Sequence, residues 1–446
     1  MFTKKLLNIL LVLFLAVLIA ALDISIIGPA LPSIQKDFAI DDNYLSWVFG
    51  IYILFQLLGA PILAKFSDRY GRKNIFIFCV SFFGIASLIV AFSTDFIMLL
   101  FGRLLQGFSA GGILPISTAI IADTFPAKHR GKALGMIGAI FGLAFLLGPL
   151  LGALLLNFSW KWLFLVNIPL VIFICLKSQK VIPNEAKSTK ISIDIAGLLF
   201  LFLTLGTFAL AISKIDSANF LNSLMTKQIS FLIIISILSF VMFFLSESRA
   251  KDPIISLDIL LSRQLIIIWF IAIVTGLVEA GMIFLPTIAI DHYNILDTTA
   301  SLMMLPLVIA LIIGSLGAGV LSDNLSTTLI IQASLLLLIF SFIFISYSDL
   351  SYVIFYSSGV MIGLAIAGLM TSLRVSLISR SNNESVGSNQ GILALFLSIG
   401  RLLGASLVGA IMASEINSVV GFQKALLFCS GLIGVALIIS ANLKYR

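Results

Sequence analysis

Asp23 stands inside "LAVLIAALDISIIGPALP", residues 15–32, as the one charged residue of that run. A carboxylate in hydrocarbon is costly, so its presence implies a task, with a partner or a proton to be named. Three more ionisable residues are placed the same way: Arg103 in "LLFGRLLQGFSAGG", Glu279 in "IVTGLVEAGMIFLP" and Arg401 in "SIGRLLGAS". Withdrawal from water disfavours a charged carboxyl, so an acid so placed can hold a proton, or when ionised attract a cation, and the two compete for one negative charge. Arg103 needs an acceptor in low dielectric. For Asp23 a role near the end of its span is a rival reading, and for Glu279 a purely structural pairing with Arg401 is another.

Other chemistries find little footing. His129 and His292 are the only histidines, and Cys79, Cys175 and Cys429 all lie in apolar runs, so neither a metal site nor a disulfide framework is expected. No nucleophile cluster and no cofactor motif is visible, which disfavours a lipid-modifying enzyme. Residues 107–111 formally match G-x-S-x-G, but that motif needs a strand-to-helix turn, and here it lies within an apolar helix. The loops are too short to carry a soluble signalling domain, so a sensor has no support.

The elements that must position these ions follow from composition. Of 446 residues, 60% are hydrophobic and 11% charged, and mean hydropathy is +1.17. That is far below the roughly 25% charge of a soluble domain. Apolar runs long enough to cross a bilayer as helix recur about fourteen times. With the N-terminus in the cytoplasm, 20 of the 27 Lys and Arg residues fall in inside loops, Arg374 among them, and five outside. Both termini are then cytoplasmic, and the net charge of +7 is an orientation signal, not a nucleic-acid footprint. The first apolar run is too long for a signal peptide and no cleavage site closes it.

Two long polar stretches isolate one pair of spans. The reading is an all-α polytopic membrane protein with a six-helix bundle over 1–177, an inserted pair over 178–264 and a second six-helix bundle over 265–446. The bundles look related: "AKFSDRYG" (64–71) and "GVLSDNLS" (319–326) follow the second span of each, as expected of a repeated transporter.

"AKFSDRYGRKN" packs Asp68, Arg69 and Arg72 around Gly71, which is free to take a left-handed turn. Asp68 can receive a helix N-terminus or a guanidinium. Arg103, Gly107 and Gly111 are spaced by four, on one helix face, and the glycines admit a neighbouring helix closely. Gly148, Pro149 and Gly152 punctuate "GMIGAIFGLAFLLGPLLGA" as a bent, glycine-lined seam.

Together these stretches resemble the major facilitator superfamily: its loop between spans two and three (with Ala64 for the usual glycine), its span-four motif with a proton-linked arginine at Arg103, and its span-five antiporter motif at Gly148, Pro149 and Gly152. The copy around Asp323 lacks the basic residues. "ALDISIIGPALP" and "WKWLFLVNIP" resemble the fourteen-span drug:proton antiporter branch. The resemblance implies the major facilitator fold, two six-helix bundles plus two inserted helices, working as a monomer in the cytoplasmic (inner) membrane among its lipids. It implies multidrug efflux, and with it antibiotic resistance, by exchange of protons for lipophilic compounds, cations favoured, with no cofactor beyond the proton gradient. Export of a specific metabolite (an amino acid, peptide or siderophore) on the same scaffold stays open. Asp23, Glu279 and Arg103 are the expected proton-coupling and cation site, and Arg401 a possible second-half site. Asp23 and Glu279 occupy comparable places, each in the first span of its bundle.

Overall fold

The computed structural model describes residues 2–183, 194–216, 219–250, 253–255, 257–347, 350–381 and 385–443. Lys187, Lys190, Lys251, Lys444 and Arg446, counted above as inside charges, lie outside the described residues. Among the described residues all regular structure is helical, and fourteen helices are long and apolar enough to span a bilayer. They are α1 (Lys4–Phe38), α2 (Trp47–Tyr70), α3 (Arg72–Ala91), α4 (Phe96–Thr124), α5 (Ala127–Leu156), α6 (Trp162–Val181) and α7 (Ile195–Ser213). Then follow α8 (Lys227–Arg249), α9 (Arg263–Tyr293), α10 (Thr299–Asn324), α11 (Thr327–Tyr347), α12 (Tyr352–Arg380), α13 (Val386–Ala413) and α14 (Ser418–Ser440).

The chain divides into two compact units. Unit 1 comprises Met1–Ser192 with Ser381–Ala394, and unit 2 comprises Ile193–Arg380 with Leu395–Arg446. In unit 1, α4 packs on α2 and α3, α1 on α5, and α6 on α3. Unit 2 repeats the scheme: α12 packs on α10 and α11, α14 on α11, and α9 runs backbone to backbone along α13. The helices α7 and α8 pack on each other within unit 2, where Ser406 of α13 donates to the Ile212 carbonyl of α7 at 3.5 Å.

The α2–α4 seam shows how sequence sets approach distance. Arg103, Gly107 and Gly111 on α4 meet Val48, Tyr52 and Gln56 on α2, both sets spaced by one turn. A Cβ on Gly107 would lie 2.2 Å from the Tyr52 carbonyl oxygen, and one on Gly111 2.4 Å from that of Gln56. No side chain fits there, so the two backbones touch, as small residues permit in membrane helices.

Two helices outrun their apolar stretches, with consequences for the ions. α1 continues past its apolar run to Phe38, with Pro29 and Pro32 inside it. Asp23 is therefore about four turns from the helix end, not beside it. α12 runs on to Arg380, so Arg374 is no loop charge as its polar flank suggested; it is a helix residue, 5% exposed.

Candidate functional site: one sealed and one open ion pair

In unit 1 α1 and α4 bring Asp23 and Arg103 into direct contact. Nη1 of Arg103 donates to Oδ2 of Asp23 at 2.5 Å, and Nε donates to the Val48 carbonyl at 3.2 Å. Gln106, one turn after Arg103, accepts from the same Nη1 at 3.0 Å and donates to Oδ1 of Asp23 at 3.3 Å and to Ser87 Oγ at 2.8 Å. Asn167 reaches the same hydroxyl at 3.5 Å. The guanidinium lies over the Tyr52 ring, 4.3 Å from its centroid, and 5.9 Å from that of Phe164. Both ion-pair side chains are shut from solvent, at 2% exposure for Asp23 and 0% for Arg103. Nη2 of Arg103 has no acceptor among the described residues, so the carboxylate is the dominant counter-charge of a guanidinium that is not fully satisfied.

In unit 2 the pair is Glu279 of α9 with Arg401 of α13. Gly276 sets their spacing: a Cβ there would lie 2.1 Å from the Leu397 carbonyl oxygen, and Gly400 meets Ile273 as closely. One turn on, Nε of Arg401 donates to Oε2 of Glu279 at 3.0 Å and Nη2 to Oε1 at 3.3 Å, a forked pairing. Unlike the first, this pair is open, with the side chains 40% (Arg401) and 34% (Glu279) exposed. Mid-span ions cannot present that much surface to hydrocarbon, so the pair faces a wet space. Arg374, buried on α12, feels the charge of both.

The two acids thus sit on corresponding helices, but their partners do not correspond: Arg103 is on the fourth helix of its bundle and Arg401 on the fifth of the other. The expectation that Asp23 and Glu279 are alike gives way to a division between a sealed acid and an accessible one.

The conformational motifs fall into place around unit 1. Gly71 links α2 and α3 with φ 93° and ψ 136°, a backbone that side-chain-bearing residues rarely adopt. Arg69 ends α2. Asp68 accepts from the backbone N–H of Gly387 at 3.0 Å and of Ser388 at 2.6 Å, from the Ser388 hydroxyl, and from Arg72. An anion at the first turn of α13 meets the unpaired amides and the positive end of the helix dipole. Arg72 also donates through Nε to Asp123 at 2.9 Å. In α5, a Cβ on Gly148 would lie 2.2 Å from Ser25 Oγ, so that glycine is needed for α1 to approach, whereas at Gly152 the nearest atom would be at an ordinary 3.5 Å. Pro149 lies inside α5 between them. Ser109 donates to carbonyls of its own helix, as a helical serine does and a positioned nucleophile does not. The described residues hold no group of three or more potential metal ligands.

Residues 13–405 match the model of the Major Facilitator Superfamily. The chain belongs to that superfamily. It is a multi-pass membrane transporter, not an enzyme. It is 30% identical to the MFS-type transporter YfiU of Bacillus subtilis (strain 168), over 91% of this chain and 79% of that one. It is 27% identical to the multidrug transporter protein MdtP of the same organism, over 90% and 74%. The human organic anion transporter MFSD10 shares the fold, with TM-score 0.70 at 18% identity over 98% of this chain and 100% of the other.

In this member of the superfamily, sequence reasoning singled out both acids and both arginines without joining Asp23 to Arg103. It passed over Gln106, Tyr52, Asp123 and Arg374. Gln106 carried a usable signal, since it stands three residues after Arg103 and so shares its helix face. Tyr52 and Arg374 carried none, because a tyrosine in an apolar run and an arginine near a polar flank are both ordinary.

Proposed function

We propose that the protein is a proton-coupled exporter of lipophilic compounds, cations favoured, acting as a monomer in the cytoplasmic membrane with both termini inside. The observation that carries this reading is the sealed Asp23–Arg103 pair with its Gln106 bridge. A proton that neutralises Asp23 leaves a buried guanidinium without its counter-charge, a state costing about 3–5 kcal/mol if nothing moves. The protein relieves that cost by shifting α1 against α4 until Arg103 finds water or another acceptor. Protonation and conformation are then coupled, which is what alternating access requires. The Asp68 contacts add an ionic lock that such a shift must respect. Glu279, with an open face, is the place where a cation meets negative charge. Each charge moved is driven by about 2.3 kcal/mol per 100 mV. The name of MdtP, a multidrug transporter, supports export of drug-like cargo.

The test is transport by purified protein in liposomes against lipophilic cations and neutral compounds. A proton gradient should drive uptake into inside-acid vesicles, and Asp23→Asn should abolish that coupling in protein that still inserts. Gradient-driven transport surviving the substitution would remove Asp23 from the mechanism.

A further inference from the structure

We infer that the indole of Trp160, latched to Asp37, plugs the outer end of unit 1 above the sealed pair, and that release of this latch is the step that admits water, and with it a proton, to Asp23. The inference rests on the exporter reading for the proton and for the side of the membrane, whereas the plug itself rests on contacts within unit 1. Arg103 stands seven residues, about 10 Å, from the start of α4 at Phe96. The pair therefore lies near the end of the bundle where α1 finishes and α2, α4 and α6 begin. The stretch "WKWLFLVNIP" covers that end. Its Trp160, Phe164 and Asn167 follow at intervals of four and three, and so share one helical face. Phe164 lies 5.9 Å from the Arg103 guanidinium, and Trp160 meets Phe164 edge to face at 6.1 Å. Asn167 reaches Ser87, the hydroxyl that also takes Gln106. Phe38, at the end of α1, extends the cover, 5.9 Å from Trp160 and 6.3 Å from Phe96 of α4.

A hydrogen bond ties this cover to α1: Nε1 of Trp160 donates to Oδ2 of Asp37 at 2.6 Å. The indole is 2% exposed, whereas Asp37 is an exposed residue. A buried indole N–H needs an acceptor, and here the acceptor belongs to a different helix. Release is not prohibitive, because the carboxylate already meets water and an indole is at home in the membrane–water interface. α1 also carries a joint between its two acids. Pro29 and Pro32 have no N–H to give to the carbonyls of Ser25 and Gly28, four residues back, so the helix bends most easily there. On the Asp23 side of that joint, the Ser25 hydroxyl holds α1 to the Ala144 carbonyl of α5 at 3.0 Å. The segment beyond it is free to swing once Trp160 lets go.

The experiment is hydrogen exchange on the purified full chain, read by mass spectrometry over residues 19–26 and 99–106. Trp160→Phe and Asp37→Ala each remove the latch bond and keep an aromatic cover. Each should raise exchange in both segments about tenfold, the scale of one hydrogen bond to a charged group at a wet rim. The double variant should exceed neither, because both changes remove the same contact. Asp37→Asn keeps an acceptor without the charge, and should fall between Asp37→Ala and the unaltered protein. Asp37 is exposed, so its variants test the latch even if Trp160→Phe folds poorly. Unchanged exchange in Asp37→Ala, additive effects in the double variant, or a rise spread evenly over unit 1 overturns the inference. Exchange that behaves as expected, with no gradient-driven transport by the unaltered protein, would count against the exporter reading alone.

Discussion

The sealed pair of unit 1 and the open pair of unit 2 are built from the same chemistry, one acid and one arginine across two helices, yet burial gives them opposite consequences. Asp23 and Arg103 have exchanged water for each other, a carbonyl, an amide and an aromatic face. Neither ion can lose its partner at rest. Glu279 and Arg401 keep a wet face, so solvent replaces whatever the partner withdraws. Exposed pairs are worth about 0–1 kcal/mol, whereas stranding one ion of a buried pair costs about 3–5 kcal/mol. In the proposed function the sealed pair is the one whose neutralisation forces movement, and the open pair the one that can meet cargo without disturbing the fold.

The widest gap between the two pairs should appear in stability. Asp23→Ala or Arg103→Ala should lower the stability of the purified protein by about 3–5 kcal/mol, seen as a marked fall in melting temperature, because each leaves a buried ion alone. Asp23→Asn with Arg103→Gln should recover most of the loss while remaining uncoupled. If the single and double variants melt together, the pair is not sealed in solution and the contrast collapses.

The sealing itself depends on the α2–α4 seam. Gly107→Ala places a methyl against the Tyr52 carbonyl and forces the helices apart. A loss of about 1–3 kcal/mol is expected, the scale of overpacking. Hydrogen exchange should rise at Val48 and Tyr52 if the loosened seam admits water to Arg103. An unchanged melting curve would mean the backbones are not held at contact distance.

Much of this was legible in the chain. The spans, their number and the repeat follow from apolar length and from the position of the Ser-Asp pairs, because a bilayer forces helix onto any sufficiently long oily run. The four individual ions stood out for the same reason, since charge in oil is conspicuous. What the sequence hid was pairing. Asp23 and Arg103 are joined by a helix crossing, 80 residues apart in the chain, which no local spacing encodes. Accessibility was hidden too: nothing in "IVTGLVEAGMIFLP" separates it from "LAVLIAALDISIIGPALP" in burial, yet one acid is open and the other closed. Arg374 was misplaced because a helix need not stop where its apolar stretch does.

Asp68 is a third case, a carboxylate whose side chain is almost as enclosed as that of Asp23 but whose partners include two backbone amides at the first turn of α13. Asp68→Ala should cost about 1–2 kcal/mol by uncapping two amides and freeing one contact of Arg72. Asp68→Asn, which keeps an acceptor without the charge, should fall between. Melting in graded salt separates the charge from the hydrogen bonds, and equal losses for Asn and Ala would show that charge, rather than geometry, holds that contact.

The smallest stability effect should be at Glu279, and there the comparison is sharpest. Glu279→Gln should shift stability by no more than about 1 kcal/mol, since water and the glutamine amide serve the exposed Arg401 in place of the acid. Its effect should instead be on cargo: export of monocations should fall while that of neutral compounds of similar size holds. A fold that tolerates the change while charge selectivity moves would mark Glu279 as a reader of cargo, in contrast to Asp23, whose loss is felt by the whole bundle. Should both classes of compound decline equally, the open acid reads no charge, and it becomes a second scaffold contact that happens to be wet.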